Sequence, residues 1–132
     1  MGRSREEVLE FKKELEERTA SFAVAVFRFL DGLPNRVSSR VIAFQLGKSA
    51  SSVGANYCEA NRAESSNDFL HKMGISLKEC SESLYWLNIL KRLHPSSEVL
   101  EKLLKECEEL IKIFQSARTT IYEKRKSHSV IR

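Results

Sequence analysis

Asp68 and His71 stand three residues apart. On a helix that spacing sets a carboxylate and an imidazole on one face, the arrangement that di-iron bundles use. Such centres need the motif twice, with two further inward glutamates, and here it occurs once. Asp68 also closes the run Ser65-Ser66-Asn67-Asp68, whose types suit a helix N-cap followed by a carboxylate in the first turn. A surface histidine is therefore the simpler assignment for His71. His94 precedes Pro95 and His128 lies near the C-terminus, and neither has a partner in the sequence.

The remaining candidates for chemistry are equally thin. Cys58, Cys80 and Cys107 are odd in number and widely spaced, with no CxxC pair, so zinc ligation is not indicated. They read as reduced thiols of a cytoplasmic protein. Cys80 and Cys107 fall on apolar seams and read as core, whereas Cys58 falls off the main stripe and is either partly exposed or at an interface. A nucleophilic cysteine needs an activating histidine or a helix N-terminus, which none has. The segment GKSASS starts at Gly47 but lacks the leading half of GxxxxGK[ST] and the preceding strand, so it is no phosphate loop. Asn56, Glu59, Asn61, Arg62, Glu64 and Asp68 crowd one turn. They form either a ligand site or, the simpler reading, a network that fixes the turn and a subunit contact. No catalytic residue, metal ligand or cofactor is assigned.

The basic residues carry a more general possibility. Lysine and arginine number 22 against 18 acids, a net charge of +4, which permits nucleic-acid binding without demanding it. Arg36, Arg40, Lys48 and Arg62 fall within about 120° of one another on a helical wheel. Arg118, Lys124, Arg125 and Lys126 form a second group near the C-terminus. On one subunit this is a modest patch. Repetition around an oligomer would multiply the phosphate contacts. Aromatic residues interleaved with these cations are scarce, which argues against sequence-specific readout of single strands.

Four helices must position these groups. Val8, Phe11, Leu15, Phe22, Val26 and Phe29 recur at helical spacing, giving a first amphipathic helix over about 5–31. Asp31-Gly32-Leu33-Pro34 stops it, and proline opens the next element. The second helix spans about 35–62 and the third about 65–93. His94-Pro95-Ser96-Ser97 then breaks the chain and caps a fourth over about 97–124, leaving a basic tail at 125–132 that frays. Short turns between helices of about 26 residues, roughly 39 Å each, imply an up-down-up-down antiparallel four-helix bundle. At 132 residues it is a single all-α domain, large enough for its own core. No apolar run reaches membrane-spanning length, and the charged N-terminus is no secretory signal.

The second and third helices carry more apolar surface than one core needs. Ile42, Leu46, Ala50, Val53 and Tyr57 form a core stripe, while Val37, Val41 and Phe44 lie roughly opposite. Phe69, Met73, Leu77, Cys80, Leu84 and Leu87 form one seam of helix three, with Ile75, Trp86, Ile89 and Leu90 on another. Apolar residues grouped on a second side mark an oligomer interface; the alternative is an irregular bundle that buries both sides itself. The small residues from Gly47 to Ala55 sacrifice helix propensity and allow neighbouring backbones to approach closely.

Several stretches resemble a known family: Glu17-Arg18-Thr19 with Phe22-Ala23, QLGKSASSVGANYCEANRAES from Gln45, Asp68-Phe69, and KMGISLKECSESLYWL from Lys72. Together they resemble the bacterial 23S ribosomal RNA intervening-sequence proteins, over nearly the whole chain. Lys48 stands where the pattern usually has arginine, which forgoes a bidentate phosphate contact. Ser83 stands where threonine is common. The resemblance implies a gene lodged in or near a ribosomal RNA intervening sequence and a ring-shaped homopentamer of four-helix bundles. A related branch, the accessory variability determinant of diversity-generating retroelements, partners a reverse transcriptase and binds nucleic acid. The family brings no catalytic residues to carry over.

The sequence therefore predicts a non-enzymatic, cytoplasmic homo-oligomer that binds RNA or DNA backbone through basic surfaces. The alternative is a protein adaptor that docks a reverse transcriptase or another partner and has little nucleic-acid affinity of its own.

Overall fold

The computed structural model describes the backbone of residues 2–131 and the side chains of residues 2–126. Among the described residues the structure is all-α, with helices α1 (Arg5–Asp31), α2 (Val37–Asn61), α3 (Ser66–Leu93) and α4 (Glu98–Ile131) and no strand. They pack as a four-helix bundle in which α2 and α3 are the most intimate of the neighbouring pairs and α1 and α4 the least.

The helix ends follow local chemistry. The Ser4 hydroxyl accepts from the Glu7 N–H at 3.2 Å and begins α1. The Gly32 N–H donates to the Phe29 carbonyl at 3.1 Å and ends it. Gly32 adopts φ −88°, so it stops the helix without using the left-handed conformation open to glycine. Pro34 lies before α2 rather than inside it, and Arg36 caps that helix with no side-chain bond. The Ser65 hydroxyl accepts from the Asp68 N–H at 3.0 Å at the head of α3. Ser97 does the same for Leu100 at 3.2 Å at the head of α4. The backbone of α4 continues past residue 124 to Ile131, because no proline or glycine interrupts that segment.

The core is a continuous apolar column. Phe22 and Val26 of α1, Leu46 and Tyr57 of α2, Met73 and Leu87 of α3, and Leu110 and Phe114 of α4 are all buried. Tyr57 meets Phe114 edge-on, with ring centroids 5.5 Å apart. Truncating a ring at such a site costs about 3–5 kcal/mol. Four small polar side chains are also fully buried: Thr19, Ser49, Ser76 and Ser83. Each satisfies its hydroxyl, as burial requires. The Ser49 and Ser83 hydroxyls meet across α2 and α3 at 2.8 Å. Ser76 donates to the Val53 carbonyl at 2.9 Å, and Thr19 donates to the Glu16 carbonyl at 2.9 Å. These hydroxyls and the glycines of α2 let the helices close on one another. A β-carbon on Gly54 would lie 2.8 Å from Thr19 Oγ1, and one on Gly47 would lie 2.9 Å from the Phe27 ring.

The two ends of the bundle differ. One gathers the α1–α2 and α3–α4 turns, where Phe29 meets His94 edge-on at 6.4 Å and lines a hollow with Pro34 and Ser97. The other gathers the start of α1, the α2–α3 turn and the far part of α4. No helix, among the described residues, is long and apolar enough to cross a membrane.

Candidate oligomer and nucleic-acid surfaces

α2 turns one face inward and leaves another bare. Val37, Val41 and Phe44 are 69%, 50% and 67% exposed. The i, i+4, i+7 spacing aligns them on one stripe. Val24 and Phe27 of α1 are exposed as well. Phe27 lies against α2 at Gly47, so the apolar surface runs across the α1–α2 seam. These two α1 residues lie outside the interface set expected from the sequence. Their signal was present as apolar positions three apart and off the main α1 stripe.

The second seam of α3 is less open. Ile75, Trp86 and Ile89 are half-buried, and Trp86 and Ile89 pack against the core. Trp86 also meets the exposed Tyr85 edge-on at 5.1 Å. The indole Nε1 of Trp86 is enclosed without an acceptor among the described residues. Leu90 departs from the expected interface set: it is 1% exposed and belongs to the core of its own bundle. Seven residues, about two helical turns, separate it from Ser83, and Ser83 faces α2 across the Ser49 bond. The arc of α3 enclosed by α2 and α4 is thus wider than a single stripe, and Leu90 lies inside it.

The cations are spread along the bundle. Arg36 and Arg40 stand at the end with the α1–α2 turn, where Arg40 Nη1 donates to Asn35 Oδ1 at 2.9 Å. Lys48 is exposed at mid-helix, near enough to Glu79 to favour its ionised form. Burial outweighs that attraction and raises the Glu79 pKa. Arg62 lies at the far end of α2 and donates to the Cys58 carbonyl at 2.9 Å. With 1.5 Å of rise per residue, Arg36 and Arg62 are about 39 Å apart. A shared helical face therefore does not make them one compact patch.

The C-terminal cations also divide. The Arg118 guanidinium lies against α3, where Nη2 would be 3.3 Å from a β-carbon on Gly74. Its Nε is enclosed without a partner among the described residues, and its neighbours are Asn67, His71 and Tyr122. Lys124 lies on another face of α4 and lines a groove between α1 and α4. Arg125 and Lys126 are exposed. The groove holds about 720 Å³ and is lined by Phe11, Phe69, Met73, Ile113 and Ile121, with Arg3, Lys12, Lys112 and Lys124 at its rim. Of these four cations only Lys124 belongs to the basic set expected from the sequence. The others, Arg3 just before α1, Lys12 on α1 and Lys112 on α4, meet only through tertiary packing.

Other charges are committed within the bundle. Arg18 donates from Nε and Nη2 to both oxygens of Glu106, at 2.8 and 2.7 Å, and also bonds Glu109. The hydrogen bonding that Arg18 donates to Glu106 contributes most to raising the Arg18 pKa above its ordinary value. Lys72 pairs with Glu59 at 3.2 Å, and Lys91 pairs with Glu101. In the crowded turn, Asn61 donates to Glu16 at 2.9 Å and Asn56 to the Ser52 carbonyl at 2.9 Å. These contacts tie the turn to α2 and, through Glu16, to α1.

The residues considered for chemistry do not converge. Asp68 and His71 are both exposed, and Asp68 sits in the first turn of α3. His94 is in a turn, and the side chain of His128 lies outside the described residues. Among the described residues no group of three or more His, Cys, Asp or Glu could hold a metal. All three cysteines are free. Burial pushes the Cys107 thiol up to about 12 and raises Cys80 and Cys58 as well. That is the direction opposite to activation.

Comparison with known proteins places this architecture. No curated protein matches the chain. A crystal structure of a protein of unknown function from the S23 ribosomal protein family of Bacteroides thetaiotaomicron is similar at 30% identity. The match covers 82% of this chain and 97% of that one, with a TM-score of 0.71. Neither that protein's description nor the family's names a reaction. The model of the 23S rRNA-intervening sequence proteins matches residues 12–116, from the groove-lining Lys12 through the core ring of Phe114, and the chain belongs to that family.

Proposed function

We propose that the protein is a non-enzymatic cytoplasmic homo-oligomer, a pentamer of antiparallel up-down-up-down bundles, that binds the backbone of RNA or DNA. The exposed stripe of Val37, Val41 and Phe44 carries the reading. Three large apolar side chains aligned in water are costly, and their burial by a second copy of the chain offsets that cost. Arg36 and Arg40 stand at the head of the apolar stripe. Assembly through that stripe repeats them around the oligomer and multiplies phosphate contacts without base recognition.

The test is the double substitution Arg36→Glu, Arg40→Glu, followed by gel filtration and by fluorescence anisotropy with RNA and DNA. The reading predicts an intact oligomer with weakened binding to every sequence. A broken oligomer would instead place both arginines in intersubunit ion pairs. No anisotropy change for the wild-type protein at low salt would remove nucleic acid from the reading. The exposed stripe would then favour an adaptor that docks a protein partner such as a reverse transcriptase.

A further inference from the structure

The groove between α1 and α4 joins two features that are far apart in sequence. Its floor is aromatic and aliphatic, and its rim is cationic. Arg3, Lys12, Lys112 and Lys124 surround it, no carboxylate lines it, and none of the four is in an ion pair among the described residues. The Arg3 guanidinium lies 4.7 Å from the Phe11 ring centroid. The Lys12 ammonium lies 5.9 Å from that of Phe69. Both rings thus offer a π-face to the groove, at present covered by the flexible side chains of cations.

We infer that this groove takes an unpaired nucleotide of a single-stranded nucleic acid, with the base against Phe11 and Phe69 and the flanking phosphates on Lys12, Lys112 and Lys124. This rests on the nucleic-acid reading above and deepens it by naming the strand state. The shape and charge select the ligand. A volume of about 720 Å³ lies within the range of small-ligand sites and admits one nucleotide, while a duplex is far too wide. Bases in a duplex are stacked on each other and present no free face, whereas an unpaired base does. A fatty acid would satisfy the floor but brings one negative charge to four cations. A nucleic-acid strand brings a charge at each step. Stacking of this kind tolerates any base, so it adds strand selectivity without sequence readout.

The experiment compares a labelled 12-mer of deoxythymidine with a 12-base-pair duplex by fluorescence anisotropy at one salt concentration. Wild-type protein should bind the single strand at least about tenfold more tightly, as stacking adds to phosphate contact. Phe69→Leu keeps an apolar side chain but removes the stacking face. It should weaken single-strand binding about five- to a hundredfold and leave duplex binding unchanged. Phe11→Leu serves as an independent variant, with helical circular dichroism confirming that both fold. Lys112→Glu with Lys124→Glu should also weaken the single strand. Equal affinity for strand and duplex, unmoved by either leucine variant, would overturn the groove assignment while leaving backbone binding intact. No binding of either nucleic acid would remove both. Calorimetric binding of dodecanoate, without binding of the strand, would assign the groove to an amphiphilic carboxylate instead.

Discussion

Alanine at Gly54 and alanine at Gly47 should move stability in opposite directions. Both glycines lie inside α2, where replacing glycine with alanine gains about 0.8–1.0 kcal/mol of helix propensity. At Gly54 the new β-carbon would lie 2.8 Å from Thr19 Oγ1 and 3.1 Å from Thr19 Cβ. Thr19 is fully buried and its hydroxyl is bonded to the Glu16 carbonyl, so it cannot swing away. Such overpacking costs about 1–3 kcal/mol, leaving Gly54→Ala destabilised by roughly 1 kcal/mol, or about 3–5 °C in Tm. At Gly47 the neighbour is the edge of the Phe27 ring at 2.9 Å, on a side chain that is 43% exposed in the single bundle and can give way there. Gly47→Ala should therefore be neutral or stabilised by up to about 1 kcal/mol. Both are read by urea denaturation at one protein concentration, since assembly shifts apparent stability. Adding Thr19→Ala to Gly54→Ala should recover part of the loss as a positive coupling. Equal or higher stability of Gly54→Ala than of Gly47→Ala would refute the close α1–α2 approach.

Val41→Asp with Phe44→Asp should dissociate the assembly and preserve helical circular dichroism, because both side chains are exposed in the single bundle; loss of helicity would place them in a core. Alkaline pH should destabilise the protein through its buried thiols. Burial raises the Cys107 thiol from its ordinary value of 9.0 to about 12, so this stability is complete below pH 9 and is lost as pH rises toward 12. Relative to Cys107→Ala, the wild type should lose about 2–3 kcal/mol by pH 11, and a gap independent of pH would contradict that. Glu106→Gln removes half of a partly exposed fork on Arg18 and should cost about 0.5–1 kcal/mol, less at high salt. A larger loss, unmoved by salt, would show the pair to be more enclosed than its exposure indicates.

The periodicity of α1 and α4 and the capping serines Ser65 and Ser97 were legible because they depend on neighbours within one or two turns. The exposed stripe of α2 was legible for the same reason: Val37, Val41 and Phe44 share a face that the core residues Ile42 and Leu46 do not. What failed was tertiary. Leu90 could not be placed from a wheel, because the width of the buried arc of α3 depends on the flanking helices. Arg36 and Arg62 share a face, but helix length separates them. Lys12, Lys112 and Lys124 gain a common role only when α1 and α4 come together around the groove. The aromatic residues beside these cations, Phe11 of α1 and Phe69 of α3, are brought to them by packing as well.

Assembly through the exposed face of α2 is the claim on which the functional reading depends. Multi-angle light scattering of the wild-type protein at micromolar concentration tests it most directly. The account predicts a mass about five times that of the 15.1 kDa chain. A homogeneous species at the mass of a single chain would contradict it.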